Sequence, residues 1–233
     1  MDNMEQFAIH SKPSAARPLV GVTVLVVEDS RYACEALRLL CLKSGARIRR
    51  ADCLKSARKH LRVYRPSVAI IDVGLPDGSG AELIEELARA SARVPVILGT
   101  SGDMDAKADA LAAGCDAFLP KPVSSLAAFQ DCILRFLPEN PATYAPRLVS
   151  TETIRPDPIS YRDDMILAAD LLTHDTQKQS IDYVARFLRG VATSANDTPL
   201  IQAADQLLAQ KSPHDIQAIT GLLNERMHDH ELL

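Results

Sequence analysis

The chain has no tryptophan, and aromatic residues make up only 4% of its 233 positions. So few rings argue against a surface that stacks nucleic-acid bases. A C-x-x-C spacing is also missing. Cys34, Cys41, Cys53, Cys115 and Cys132 are scattered among apolar neighbours, which reads as buried thiols in a reducing compartment and not as a zinc or disulfide frame. No apolar run approaches the roughly 20 residues of a membrane span. The first 18 residues carry charges and prolines in place of an apolar core, so no signal peptide is expected and the cytoplasm is the expected location. The net charge of −4 is small for this length, and no polyanionic partner is suggested for the chain as a whole.

What is present is a 47% hydrophobic share, enough for one large or two modest cores. Met1 to Leu19 reads as a polar, flexible arm. From there strand and helix patterns alternate. Gly21 to Val27 is a β-branched and Leu run, a first strand, and Ser30 can cap a helix from Tyr32 that Gly45 stops. Ala46 to Ala51 and Asp52 to Val63 follow as strand and amphipathic helix. The arginines and lysines between Arg47 and Arg65 make this region basic, as a solvated face or as a docking patch. Val68 to Asp72 is too short and too β-branched for a helix and reads as a buried strand. Helix Gly80 to Ser91, strand Val94 to Leu98, helix Met104 to Ala113 capped by Asp103, strand Cys115 to Leu119 and helix Ser124 to Phe136 complete the pattern. Five strand–helix pairs with short turns predict a doubly wound parallel five-stranded α/β sheet, (βα)5, covered on both faces over residues 20–137.

In such a sheet the carboxyl ends of the strands share one edge, where ligands bind. That edge collects Glu28 and Asp29, Asp72 and Thr100, and Lys121 arrives from the fifth strand. Clustered carboxylates repel one another unless something compensates them. A hard divalent cation such as Mg²⁺, which takes oxygen ligands and keeps several waters, would do so with one of the Glu28/Asp29 pair, Asp72 and a backbone carbonyl. The set suits phosphoryl transfer to a carboxylate. Asp72 attacks phosphorus, Lys121 and the metal neutralise the equatorial oxygens, and the Thr100 hydroxyl meets another.

Four motifs stand in order: Val24-Leu25-Val26-Val27-Glu28-Asp29-Ser30, Ile71-Asp72-Val73-Gly74-Leu75-Pro76-Asp77-Gly78, Gly99-Thr100-Ser101 and Phe118-Leu119-Pro120-Lys121-Pro122. With them, residues 22–137 resemble the response-regulator receiver domain of two-component systems. The resemblance implies the flavodoxin-like receiver fold, phosphorylation at Asp72 and Mg²⁺ at Glu28, Asp29 and Asp72 with the Gly74 carbonyl. It also implies a cis Lys121-Pro122 peptide and a switch made of Thr100 and Phe118, where the alternative is a purely structural Phe118. The implied partner is a sensor histidine kinase or phosphotransfer protein. The receiver modifies itself once per cycle, so a turnover enzyme is not expected. Gly74 and Gly102, small beside the site, predict open access for water and a short-lived phosphoryl group.

Residues 138–158 hold five prolines and read as a linker. Residues 159–233 read as an all-α helical module, with amphipathic patterns over Ser160 to Leu172, Asp175 to Thr193, Asp197 to Leu208 and Pro213 to His228. The segment from residue 151 onward carries 7 Lys and Arg against 13 Asp and Glu, a net −6, and no helix has a basic stripe. A protein-binding or self-associating output is expected and DNA is not. A DNA-binding output of atypical form and a phosphorelay role for His174 are the alternatives. His174 lies at a helix boundary without the pattern of a phosphotransfer motif.

Overall fold

The computed structural model describes residues 12–137, 150–174 and 178–228. Strands β1 (Thr23–Val27), β2 (Arg47–Ala51) and β3 (Val68–Asp72), a small hairpin of β4 (Gly74–Leu75) and β5 (Gly78–Ser79), and then β6 (Val96–Ser101) and β7 (Ala117–Pro120) supply the β structure. The five long strands form one parallel sheet in the order β2-β1-β3-β6-β7. The predicted fold class is therefore observed.

Alternation along each strand divides the core in two. Val24, Val26, Ile70 and Leu98 face α1 (Arg31–Ser44) and α5 (Leu126–Leu134). Leu25, Val27, Ile71 and Ile97 face α2 (Leu54–Val63), α3 (Gly80–Arg89) and α4 (Ala106–Ala112). Local chemistry sets the ends. Ser30 accepts a hydrogen bond from the Ala33 amide and opens α1. Gly45 closes it at φ 86°, its N–H donating to the Cys41 and Leu42 carbonyls.

Several expected boundaries shift. Leu19, expected in the flexible arm, is fully buried in the receiver core, and its amide donates to the Ser44 carbonyl at the end of α1. Asp103 does not cap α4. Its carboxylate accepts from the Asp105 amide, and Asp105 occupies the cap position without a side-chain bond. Most of the proline-rich linker lies outside the described residues. Its described end is anchored: Ile154 is buried in the receiver core and Lys43 pairs with Glu152 at 2.6 Å.

The C-terminal segment forms α6 (Pro158–His174), α7 (Lys178–Ala195), α8 (Thr198–Gln210) and α9 (Pro213–His228) around a core that includes Met165, Val184, Leu188, Leu200, Leu207 and Leu223. Asp197 opens α8 and also accepts from the Tyr161 hydroxyl and the Arg226 guanidinium, which ties three helices together. Ser212 and Asp215 cap α9 reciprocally. No helix among the described residues is long and apolar enough to cross a membrane. The bundle lies against the receiver, with α6 and α7 on α1 and α7 also on β4.

Candidate functional site

Parallel pairing carries the polar strand ends to one edge. Val27 sits beside Ile71, Asp72 beside Thr100, and Thr100 beside Leu119. Glu28 and Asp29 follow β1 directly, and Lys121 follows β7. Ligand oxygens of Glu28, Asp29 and Asp72 all come within 4.8 Å of one another. Lys121 Nζ donates to Asp72 Oδ2 and to Glu28 Oε1, each at 3.0 Å. Glu28, Asp72 and Lys121 are buried and Asp29 is half-buried.

Three carboxylates face a single ammonium, and the site's electrostatics follow from that excess. Burial drives the Glu28 carboxyl well above the usual carboxylate range; Lys121 opposes the rise, and the charges of Asp72 and Asp29 add to it. Burial and the Asp72 charge push Asp29 up to about 7. Burial alone would depress Lys121, but Asp72 and Glu28 outweigh it and hold the ammonium above its ordinary value. The spread of the oxygens resembles the span of an Mg²⁺ octahedron, about 4.2 Å across at Mg–O distances of 2.0–2.1 Å. The donor set is all oxygen. The residues present therefore fit a hard divalent cation, and Gly74 lines the same cavity.

Thr100 is buried in the adjacent strand, but its hydroxyl donates to the Leu119 carbonyl at 2.7 Å. It lines a neighbouring cavity with Lys121 and Pro122 and does not line the one that holds Asp72. Phe118 is half-buried against the α4 side of the core, and a Cβ on Gly99 would lie 3.3 Å from its ring. The Lys121-Pro122 peptide is cis. His174 hydrogen-bonds the Asp170 carbonyl of its own helix at 2.9 Å and does not line the cavity.

The cavity, of about 610 Å³, has a wall that the sequence reading missed: Arg186, Phe187, Arg189, Gly190 and Val191 of α7. Tyr183 donates its hydroxyl to Asp29 Oδ2 at 2.8 Å. A Cβ on Gly190 would lie 3.8 Å from Lys121 Nζ. Arg189 pairs with Asp103 at 2.8 Å. Asp164 of α6, fully buried, accepts from the Ser30 hydroxyl and from the Arg31 and Tyr32 amides, and so caps α1 from a distant part of the chain. The expectation of an open site holds at Gly74, where a Cβ would meet nothing within 4 Å. It fails at Gly102, where one would stand 3.1 Å from the Gly190 backbone. One signal was legible in principle: Tyr183, Arg186 and Gly190 recur at i, i+3 and i+7, a second stripe beside the core stripe Val184, Leu188 and Val191.

A family described as the response regulator receiver domain matches residues 24–130. The chain is 35% identical over 99 residues to the KDP operon transcriptional regulatory protein KdpE of Escherichia coli (strain K12), a match covering 42% of this chain and 44% of that protein. It is 32% identical over 100 residues to the virulence transcriptional regulatory protein PhoP of Salmonella typhimurium (strain LT2), covering 42% and 45%. The chain thus spans less than half the length of these curated relatives. Among solved structures, a putative response regulator from Chloroflexus aurantiacus is 29% identical with a TM-score of 0.45, covering 49% of this chain and 98% of that one. A receiver domain of a Pseudomonas aeruginosa sensor histidine kinase, solved with a magnesium ion in its active site cleft, is 22% identical with a TM-score of 0.45, covering 50% and 97%. Residues 24–130 of this protein are a response regulator receiver domain.

Proposed function

We propose that Asp72 accepts a phosphoryl group from a phosphohistidine of a sensor histidine kinase or phosphotransfer protein, and that the helical module carries the output. One observation carries the reading: Asp72 ends its strand in an all-oxygen carboxylate cluster with the Lys121 ammonium 3.0 Å away. An Asp72 oxygen forms the new P–O bond while the P–N bond breaks, and the departing imidazole nitrogen takes a proton from solvent. Glu28, Asp29, Asp72 and the Gly74 carbonyl would hold Mg²⁺, which when bound supplies charge neutralisation at phosphorus. Lys121 neutralises a phosphoryl oxygen, at the cost of loosening its pair with Asp72. The Thr100 hydroxyl reaches the phosphoryl group only by leaving Leu119, which is what a switch linked to Phe118 requires. The receiver acts on itself alone, so turnover of a second substrate is not part of this reading. The test is intact mass after incubation with acetyl phosphate and Mg²⁺. Wild type gains one phosphoryl group and Asp72→Asn gains none; a gain in the variant, or none in wild type, overturns the assignment.

The output is read as protein binding or self-association, supported by the net −6 of residues 151–233 and by the absence of a basic helix stripe. The names of the curated relatives favour a second reading, a transcriptional regulator binding DNA. Salt-dependent association with duplex DNA would support that second reading, and none at low salt would remove it.

A further inference from the structure

The phosphoacceptor cavity holds three cations, and two of them are already engaged. Lys121 is shared between Glu28 and Asp72, and Arg189 between Asp103 and Asp205. The third, Arg186, is exposed on the cavity wall and has no ion pair or hydrogen bond among the described residues. Its placement is fixed from both sides. Three residues before it, Tyr183 is tied to Asp29. Four residues after it, the Gly190 backbone lies against Lys121 and Gly102. Residues at i−3 and i+4 share a helix face with i, so Arg186 lies on the α7 face that carries Tyr183 and Gly190, and it lines the same cavity as Asp29, Asp72 and Lys121. Asp72 is bonded to Lys121 and clustered with Asp29.

We propose that Arg186 is a built-in receptor for the phosphoryl group on Asp72, so that phosphorylation tightens the helical module onto the receiver. This rests on the reading of Asp72 as phosphoacceptor. A new anion in the cavity gives Arg186 the partner it lacks, and a guanidinium is the side chain best matched to phosphoryl oxygens. Only the docked arrangement brings Arg186 there, so the anion binds the docked state better than the undocked one. That difference is what shifts an equilibrium. The proposal assigns α7 as the element that reads the site within the same chain, and it makes bundle docking the variable that phosphorylation controls.

The experiment compares the full chain with Arg186→Ala and Arg186→Lys, with and without beryllium fluoride and Mg²⁺. Fluorine NMR follows the Asp72 adduct, and hydrogen exchange follows α6 and α7. In wild type, fluoroberyllate is expected to slow amide exchange along α7. Arg186→Ala is expected to lose that slowing while still forming the adduct, with affinity for fluoroberyllate reduced roughly tenfold, the scale of one charge-assisted hydrogen bond. Arg186→Lys is expected to restore part of both effects. Adduct formation with equal affinity and equal slowing in wild type and Arg186→Ala overturns the proposal. So does faster α7 exchange on adduct formation in wild type, which would mean release. Absence of an adduct in wild type overturns the reading of Asp72 itself and the proposal with it.

Discussion

A Cβ on Gly80 would stand 1.9 Å from the carbonyl oxygen of Asp72. No rearrangement of a flexible side chain relieves that clash, because a Cβ is fixed by its own backbone and the atom it meets is a backbone oxygen. Gly80→Ala is therefore expected to destabilise the receiver by at least about 3 kcal/mol, the upper part of the overpacking range, read as a lowered midpoint in urea. Asp29 sets a different residue-scale behaviour. Its metal-free carboxyl is pushed up to about 7, chiefly by burial and then by the Asp72 charge. A raised carboxyl contributes stability at low pH and loses it as pH rises through that value. Binding of a divalent cation needs the deprotonated form and releases the proton. Mg²⁺ affinity is expected to rise with pH through about 7 as Asp29 gives up its proton, and the raised Glu28 carboxyl adds to the dependence. Titration calorimetry in buffers of different ionisation enthalpy checks this through the proton released; affinity flat across that range would contradict it.

At the scale of elements, α1 is joined to the bundle by its own N-terminus. Asp164 accepts the Arg31 and Tyr32 amides at 2.9 and 3.0 Å and the Ser30 hydroxyl at 2.7 Å. A carboxylate there meets the free N–H groups and the positive end of the helix. Tyr32 and Tyr161 add an edge-to-face contact at 5.5 Å. Asp164→Ala strands these donors, and docking of α6 on α1 is expected to weaken by about 2 kcal/mol, as for hydrogen bonds to a charged group. The readout is faster amide exchange in the first turn of α1 with the sheet unchanged. Most element positions were legible beforehand, since apolar period and capping residues are local signals. The hairpin of β4 and β5 was not, because two-residue strands have no period to read. Asp103 does not cap α4 because its carboxylate is taken by the Asp105 amide and by Arg189 of a distant helix, a partner that local sequence does not show.

For the whole molecule, docking makes α7 one wall of the site. α7 closes the side of the cavity near Gly102 while the side near Gly74 stays clear. A small phosphodonor has a route in, whereas a folded histidine donor must share that edge with α7. Polar contacts join the two modules: Asp164 on α1, Tyr183 on Asp29, Arg189 on Asp103 and Arg31 on Asp163 at 2.6 Å. Polar interfaces of this kind support relative motion better than apolar ones. The doubly substituted chain Asp164→Ala, Tyr183→Phe is expected to open. In small-angle scattering, the wild type should stay near the radius of gyration of a compact chain of this length, about 18 Å, and the variant should exceed it clearly. Equal radii would show that other contacts hold the modules together.

The receiver half was written along the chain. Strand period, turn residues and the acids at strand ends act over a few positions, and parallel pairing leaves one edge on which Glu28, Asp29, Asp72 and Lys121 can meet. Four amphipathic helices after the linker were equally readable from their spacing. Which face of α7 meets which surface was not, because helix periodicity reports that a face is apolar and not what a polar stripe will touch. Tyr183, Arg186 and Gly190 acquire their meaning from Asp29, Asp72 and Lys121, residues between 62 and 161 positions away in the sequence. Contacts at that separation are selected by shape and charge complementarity between two folded bodies, and only the tertiary structure brings those bodies together.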